Sequence, residues 1–320
     1  MRRRSIAGLL LACSLAAGSA GAQTYPSKQI TMVVPFSAGG PTDTLARILA
    51  ERMGRTLGQT VIVDNTTGAA GTIGVARVVR AALDGYTIGI GHWSTHVVNP
   101  AIYPLTFDIV NDLEPLAYIA TNPQLLVSRK DLPADNLKAL IDWTKANSDK
   151  VTAGTAGVGA ASHISALYFE QKTGARLRFI PYRGAGPALQ DLVAGQIDIM
   201  FDQAANSIPQ VQAGKIKAFA VTAKQRLKAL PDVPTVDEAG LPGLYIAVWH
   251  GLWAPKDVTA KLSTAAFEAL ADPQVREKFA ALGQEIPEPA QQTAESLRAY
   301  HEAEIKLWWP LIKAAGIKIE

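Results

Sequence analysis

The sequence predicts an α/β protein whose chain divides into two domains around a cleft. Apolar, β-rich runs alternate with helical patterns along almost the whole chain, which is typical of α/β layers around largely parallel sheets. Two extended apolar segments stand where the chain would cross between domains: a β-like stretch interrupted by Asn122-Pro123, and residues 247–254. A hydrophobic content of 48% with 18% charged residues suffices for packed cores and excludes wholesale disorder.

In the first half of the chain, each element follows from a local pattern. The run 30–34 is β-rich and ends at Pro35, and Thr42 is placed to cap a helix that reaches residue 57. The apolar stripe of that helix recurs at helical spacing, at Leu45, Ile48, Leu49 and Met53. Similar patterns predict a helix at 73–83 and strands at 61–63, 86–90, 116–120 and 125–127.

The second half continues the alternation and sets the domain limits. Helices are predicted at 137–147, 163–173, 187–194 and 207–213, and strands at 150–153, 176–181, 197–201 and 218–221. A proline-rich loop at 230–241 and the extended run 247–254 precede three helices at 259–271, 273–282 and about 293–308. Crossings near residues 122 and 250 make residues 23–123 with 249–320 a discontinuous first domain, and 124–248 an inserted second one. A ligand of carboxylate size would lie between them, at the carboxyl ends of the strands.

Residues 1–22 are predicted to be a cleavable export signal. Arg2, Arg3 and Arg4 form a basic region, residues 6–17 an apolar region, and 20–22 (AGA) a small-residue cleavage site. The alternative is a buried N-terminal helix, although three arginines ahead of such a run suit export to the periplasm better. The Arg3-Arg4 pair leaves the Sec and Tat export routes both open.

Export changes the charge and the cysteine content of the mature chain. The net charge of +3 comes from the three signal arginines, so cleavage leaves equal numbers of basic and acidic residues. A neutral chain has no net charge to attract nucleic acid or an anionic membrane. Cleavage also removes Cys13, the single cysteine, which excludes a disulfide, a thiolate metal site and a cysteine nucleophile. Roughly 300 residues remain, enough for two ordinary domains.

Four glycine-rich turns each lead from a strand-like run into a helix start, within residues 30–46, 61–75, 151–167 and 179–192. Such junctions leave unpaired backbone N–H groups and the positive end of a helix dipole at one place, which favours anion binding. None contains a P-loop lysine or the G-x-G-x-x-G spacing with a later acidic ribose partner, which disfavours nucleotides. A carboxylate needs only backbone N–H groups and Ser or Thr hydroxyls.

The segment GHWSTH after the third predicted strand carries three notable rings. His92 and His96 have a spacing that would bind a metal on a helix, but no glutamate adjoins them, and a loop at a strand end is the alternative. Trp93 is a candidate for an aromatic wall of the cleft, with a core tryptophan as the alternative. Ser94 beside His96 lacks a third triad member, and no G-x-S-x-G elbow exists, so an enzyme is disfavoured.

Three charged or titratable residues lie near the turns. His163 is predicted either to bind a carboxylate or to cap its own turn. Arg183 would form a bidentate pair with a ligand carboxylate, or an ion pair with Asp198 or Asp202. Asp43 is expected to accept hydrogen bonds from the N–H groups of its own turn and hold that loop in place, with contact to a ligand amine or water as the alternative.

Seven segments follow one another in a fixed order along the chain. They are PFSAGGPTD (35–43), NTTGAAGTIG (65–74), NPAIY (99–103), GTAGVGAASH (154–163), PYRGAGPALQDLVAGQIDIMFD (181–202), LPDVPTVDEAGLPG (230–243) and ALGQE (281–285). Together they resemble the substrate-binding proteins of tripartite tricarboxylate transporters (TTT), often called Bug-type solute receptors. The resemblance covers nearly the whole mature chain, and it is far more specific than a single motif.

The resemblance implies a type II periplasmic binding fold, in which two α/β lobes close on a carboxylated solute by a hinge near residues 121–124 and 248–253. It implies a monomeric receptor without a cofactor, which delivers its ligand to the membrane permease of a TTT transporter. A periplasmic sensor that presents the carboxylate to a signalling partner is the alternative.

With the residue-based candidates added, the predicted ligand contacts come from both lobes. In the first lobe they are Phe36, Ser37, Ala38, Gly39, Gly40, Asp43, Gly68, Ala69, Gly71, Thr72, Trp93 and Thr95. In the second they are Thr155, Ala156, Gly157, Ser162, His163, Arg183 and Asp202. The segment 92–96 is bulkier and more aromatic than the small Gly/Ser/Thr loop usual in the family, which favours an aromatic or otherwise flat carboxylate.

Overall fold

The computed structural model describes residues 25–255 and 260–314. The predicted export signal at 1–22 lies outside the described residues, as does the predicted start of a helix at residue 259. Within the described ranges, strands and helices alternate as the apolar patterns indicate, and all strands but one form a single path of hydrogen-bonded neighbours through two lobes.

The first lobe contains a mixed sheet between two layers of helices. Strands β1 (Ile30–Val34), β2 (Val61–Asn65) and β3 (Thr87–His92) are parallel, and β3 pairs antiparallel with β9 (Ala247–Pro255). One face packs against α1 (Pro41–Leu57), α8 (Ala260–Ala271) and α9 (Pro273–Ala281). The other packs against α2 (Thr72–Val79), a π-helical turn (Ser94–Val98) and α10 (Ala294–Ala314), with the short α3 (Asn99–Ile102) beside it.

The second lobe repeats the same layering. Its sheet contains β5 (Thr152–Thr155), β6 (Arg178–Pro181), β7 (Ile199–Gln203) and β8 (Ile216–Val221). One face packs against α4 (Leu137–Ala146) and α5 (Ala161–Thr173), and the other against α6 (Ala185–Val193) and α7 (Ala204–Gln212). Both lobes therefore bury an apolar sheet on both faces, as expected for largely parallel strands.

A single long strand, β4 (Leu113–Arg129), runs through both lobes. It pairs with β9 up to Pro123 and with β7 and β8 beyond Gln124. The expectation of two strands flanking a break at Asn122-Pro123 is therefore wrong, since the strand is continuous there. The exact domain limits stay a prediction.

The side chain of Asn122 links segments on either side of this crossing. Its Nδ2 donates to the carbonyl of Gly283 (2.8 Å), and its Oδ1 accepts from the N–H of Ala205 at the start of α7 (3.0 Å). Asn122 is fully buried, so both hydrogen bonds are shielded from water.

Two other elements differ from their predictions. The segment 94–98, expected to be a loop, forms the π-helical turn, and all five of its residues are buried. The last helix runs past residue 308 to Ala314 although Pro310 lies inside it. The helix continues because Ile312 packs in the same core cluster as Leu297.

Candidate functional site

Three helices from the two lobes begin at one small cavity, which we call the inner cavity. Residues 40–42 of α1, 160–162 around the start of α5, and Ala185 of α6 line it, together with Phe36, His92, Gln124, Ala156, Phe201, Asp202 and Gln203. Its volume is about 30 Å³. No side chain among the described residues caps any of the three helix starts. Their N–H groups and dipoles are therefore available to one anion.

A second, larger space, the outer cavity, has a volume of about 320 Å³ and lies next to the inner one. Phe36 and Ala156 line both cavities. The outer cavity is walled by residues 68–71 of the first lobe and by 156–158, Tyr182 and Arg183 of the second. Lining by both lobes places the two cavities in the cleft between them.

The wall at residues 68–71 has an unusual backbone. Ala69 and Ala70 have φ values of 45° and 48°, flanked by Gly68 at 126° and Gly71 at 96°. Left-handed alanines cost about 1–2 kcal/mol each, and such strain concentrates at functional sites. Opposite this turn, Gly157 (φ 123°) approaches so closely that a Cβ there would lie 3.5 Å from the Cα of Ala70.

Asp43 holds the first-lobe loop, as the sequence indicates. Its Oδ2 accepts from the N–H of Gly39 (2.9 Å) and from Arg47 (2.9 Å), and its Oδ1 accepts from Asn65 (3.0 Å). Burial acts to raise the pKa of Asp43, but the hydrogen bonds from Arg47, Gly39 and Asn65 keep it below the ordinary value. The Asp43 carboxylate is thus occupied by its own loop, and the prediction of this holding role is confirmed.

Two side chains of α5 hold the second-lobe loop. The Oγ of Ser162 accepts from the N–H of Ala156 (2.9 Å), and Nδ1 of His163 accepts from the N–H of Gly159 (3.1 Å). Burial lowers the pKa of His163 to about 4, so the ring is neutral at neutral pH. His163 therefore holds its own turn. Because Nδ1 accepts, the proton of the neutral ring lies on Nε2, and donation from that atom to a ligand carboxylate stays a prediction.

Asp202 contributes an incompletely bonded carboxyl group to the inner cavity. It is 2% exposed, and its Oδ2 accepts from Oγ of Ser207 (2.6 Å) and from Nδ2 of Asn206 (2.8 Å). Its Oδ1 has no hydrogen-bond partner in the described structure. Burial raises the pKa of Asp202 to about 7, against the lowering effect of the Ser207 and Asn206 side chains and the backbone N–H of Gln203.

Two amides in the inner cavity were missed from the sequence. Neither side-chain polar atom of Gln124 has a partner among the described residues, and the same holds for Oε1 of Gln203. Both residues lie on central strands and are buried. The available signal was an amide side chain at a strand position that faces the interior. Buried polar groups normally have partners, so such an amide indicates a partner that a ligand can supply.

Arg183 lies at the mouth of the cleft and is exposed. Neither expected carboxylate pairs with it: Asp198 accepts from Arg129 (2.9 Å), and Asp202 from Asn206 and Ser207. Within the described part of the chain Arg183 forms no ion pair, so its guanidinium is available to the outer cavity.

Trp93 does not supply the predicted aromatic wall. It is 1% exposed and packs edge-on against Trp308 with ring centroids 4.9 Å apart, inside the core of the first lobe. The π-helical turn after it carries the chain into that core. The rings that border the inner cavity are Phe36, His92 and Phe201, of which Phe36 and His92 stack with ring centroids 4.6 Å apart.

The remaining predicted residues lie around the loops without lining the cavities by their side chains. Oγ1 of Thr95 donates to the carbonyl of His92 (2.9 Å), and Oγ1 of Thr72 accepts from Asn99 (3.2 Å). Oγ of Ser37 lies 2.4 Å from the point where a Cβ on Gly184 would stand, so these segments of the two lobes touch. Ala38 and Gly39 approach Gly186 similarly, and Thr155 is buried behind Gly157.

The alternative of a metal site at His92 and His96 has no geometric support. Nδ1 of His92 accepts from the N–H of Ser94 (3.1 Å), and His96 stacks on Trp253 at 3.7 Å. No group of three or more His, Cys, Asp or Glu side chains in residues 25–255 and 260–314 is arranged to hold a metal ion. No helix in these same ranges is long and apolar enough to cross a membrane.

Two α/β lobes joined by shared long strands, with a cleft between them lined by three uncapped helix starts, define a periplasmic solute-binding protein. The sequence matches the family described as "Tripartite tricarboxylate transporter family receptor" (TctC) over residues 45–317, and the chain belongs to this family. The resemblance to Bug-type receptors, the two-lobed α/β fold and the assignment as a receptor rather than an enzyme are confirmed.

Three solved structures are similar to this chain over nearly its whole length. The periplasmic binding protein BugD is 40% identical, with a TM-score of 0.88 over 92% of this chain and 100% of its own. MatC (Rpa3494) from Rhodopseudomonas palustris with bound malate is 38% identical, with a TM-score of 0.86 over 90% and 100%. R. palustris Rpa4515 with adipate is 32% identical, with a TM-score of 0.86 over 92% and 100%.

Proposed function

We propose that this receptor captures a small dicarboxylate between its lobes and delivers it to a TTT-type membrane permease. The observation that carries the proposal is the convergence of three uncapped helix starts on the inner cavity. Each helix start carries a partial positive charge of about half a unit, so an anion gains from all three. One start belongs to the first lobe and two to the second, so an anion placed there is held by both lobes only when the cleft is closed.

The two cavities favour an acid with two anionic ends. One carboxylate would lie at the helix starts in the inner cavity, and the other at the backbone turns of the outer cavity near Arg183. Malate and adipate, the ligands of two similar structures, both have this form. Trp93 is buried in the core, so its ring does not favour a flat aromatic acid.

A thermal-shift screen of the refolded mature protein tests the ligand class. The panel contains aliphatic dicarboxylates of increasing length, tricarboxylates, aromatic carboxylates, amino acids and sugars. A ligand at about 100 times its Kd adds about 2.7 kcal/mol of stability. We expect the largest shift from an aliphatic dicarboxylate, and shifts confined to uncharged or cationic compounds would reject the proposal.

A matched pair of serine variants tests whether the ligand occupies this cavity. Ser162→Ala removes the hydroxyl that fixes Ala156, so we expect roughly a tenfold rise in Kd, the effect of losing about 1.4 kcal/mol. Ser165 lies on the same helix, is fully buried, and does not line the inner cavity, so Ser165→Ala should leave the Kd unchanged. Equal effects of the two variants would place the ligand elsewhere.

Deletion of the gene separates transport from sensing. Loss of uptake of the acid found in the screen, with restoration by the wild-type gene, is the expected result. Normal uptake with a lost transcriptional response to that acid would instead identify a sensor.

A further inference from the structure

The carboxyl group of Asp202 accepts side-chain hydrogen bonds on one oxygen only. Ser207 and Asn206, both on α7, donate to Oδ2, whereas Oδ1 is buried and has no partner in the described structure. Asp202 lines the inner cavity, so its free oxygen belongs to the space where the helix starts converge. A buried carboxyl oxygen without a partner is costly, so it needs either a hydrogen-bond donor from a ligand or a proton of its own.

No side-chain cation of the first lobe faces Asp202 among the described residues. On α1, Arg47 is paired with Asp43 (2.9 Å), and neither residue lines the inner cavity. On β3, burial lowers the pKa of His92 to about 3, so this cavity-lining ring is neutral. On β9, burial lowers the pKa of His250, and its Nε2 lies 3.3 Å from Oγ1 of Thr42.

The second lobe likewise offers no side-chain charge to balance Asp202 in the described ranges. His163 on α5 is neutral and bonded to its own turn. Arg183, ahead of α6, lines the outer cavity and not the inner one. Gln124 on β4 and Gln203 beside Asp202 are neutral amides, and α7 contributes only neutral donors.

We propose that Asp202 takes up one proton when a dicarboxylate binds, and that its Oδ1 then donates a hydrogen bond to the ligand oxyanion in the inner cavity. This inference rests on the proposed function. The proton comes from solvent, the Asp202 carboxylate becomes a carboxylic acid, and no bond of the ligand is broken. Asp202 thereby selects a ligand whose inner end is an oxyanion.

Two carboxylates that share one dehydrated cavity cannot both remain ionised at low cost, so the pair holds one proton between them. The helix starts favour the ligand as the ionised partner, because residues at the starts of α1, α5 and α6 line the cavity and a helix N-terminus stabilises negative charge. Asp202 is the partner already close to protonation, since burial raises its pKa to about 7 in the free protein. Protonation at pH 8 therefore reduces affinity by only about tenfold.

Titration calorimetry with malate and adipate at pH 8, in phosphate and in Tris, measures the protons taken up on binding. For the wild type we expect close to one proton per ligand, and a Kd that rises about tenfold between pH 8 and 9. Asp202→Asn places an N–H donor where the acid would carry its proton, so it should bind about tenfold tighter than the wild type at pH 8, without proton uptake. The exposed Asp135→Asn variant should behave as the wild type.

A further variant separates Asp202 from the other titratable ring of the cavity. His92→Gln retains an acceptor for Ser94 and should keep the proton uptake. Uptake that persists in Asp202→Asn but disappears in His92→Gln overturns the assignment. Binding of either acid by the wild type without proton uptake also overturns the proposal. This second result uses only the wild-type protein, so it does not depend on whether a variant folds.

Loss of malate and adipate binding in a folded Asp202→Asn protein would overturn the proposal in another way, because it would show that an N–H donor cannot replace the proposed carboxylic acid O–H at this position. Failure of the proposed function gives a different result. In that case no carboxylate of the screening panel shifts the melting temperature of the wild type at any pH, and the inference falls with it.

Discussion

Replacing Asp202 by asparagine should stabilise the empty receptor, and only above about pH 5. The pKa of Asp202 rises from 3.8 to about 7 on folding, because the group is buried. The native state therefore holds an extra proton between these values, and wild-type stability falls as the pH rises through this window. Above pH 7 the full cost is present. A shift of roughly 3 units corresponds to on the order of 4 kcal/mol at about 1.36 kcal/mol per unit.

The opposing effect of the substitution is smaller. Asparagine keeps an oxygen for Ser207 and Asn206, but these hydrogen bonds lose the assistance of a charged acceptor, which costs about 1–2 kcal/mol. The net gain at pH 8 is then about 2–3 kcal/mol, and near pH 4 the variant should be equal to or less stable than the wild type. A gain of this size raises Tm by roughly 5–10 °C in a protein of this length.

Urea unfolding of both proteins at intervals between pH 4 and 8.5 measures the difference. Asp198→Asn is the matched control, because hydrogen bonds from Thr152 and Arg129 lower the pKa of Asp198 despite its burial, so its removal should destabilise most at neutral pH. A difference between wild type and Asp202→Asn that is the same at pH 4.5 and pH 8 would refute the reasoning.

Three further predictions concern the histidines, the cleft and the crossing. Burial lowers the pKa of His92 to about 3 and that of His163 to about 4 in the folded protein. As the pH drops below about 6.5, these histidines take up protons in the unfolded chain but not in the native state, so the free energy of unfolding should fall. Urea midpoints of the Asp202→Asn variant isolate this effect, because the variant lacks the Asp202 titration. Equal midpoints at pH 7 and pH 5 would contradict the prediction. Gly157→Ala forces a side chain onto a φ of 123° against the opposite wall, so ligand Kd should rise at least tenfold. Gly174→Ala, at a φ of 74° with open space around it, should cost about 1 kcal/mol of stability and leave Kd unchanged, and equal Kd values for the two variants would exclude a role in closure. Asn122→Ala leaves two buried backbone groups, the carbonyl of Gly283 and the N–H of Ala205, without partners, which should lower the free energy of unfolding by about 2–4 kcal/mol. An unaltered melting temperature by calorimetry would show that water replaces the amide.

The alternation of elements and the anion-facing turns could be predicted from the sequence because both depend on local patterns. The strand that ends before Pro35 needs no distant contact to be recognised. The helix after it was also recognised, although it begins at Pro41 with Gly40 as its N-cap residue and not at the predicted cap Thr42. The strand through Asn122-Pro123 was split in the prediction, because the hydrogen bonds that keep it extended come from β9, more than a hundred residues away.

Side-chain direction in the cleft depends on tertiary packing, and here the sequence was insufficient. Trp93 stands in a segment that neighbours the cleft, yet the π-helical turn and Trp308 of the last helix bury it. Gln124 was overlooked because no motif marks a polar residue on a central strand. Its role depends on the cavity that three separate helices create.

The proposed recognition of a carboxylate by the polypeptide backbone has an evolutionary consequence. The N–H groups at the starts of α1, α5 and α6 persist whatever side chains a gene encodes, provided the turns keep their shape. Gln124 and Gln203, by contrast, are each a single codon change away from a different size or polarity. A lineage with this architecture can therefore drift from one organic acid to another without passing through an ancestor that binds none.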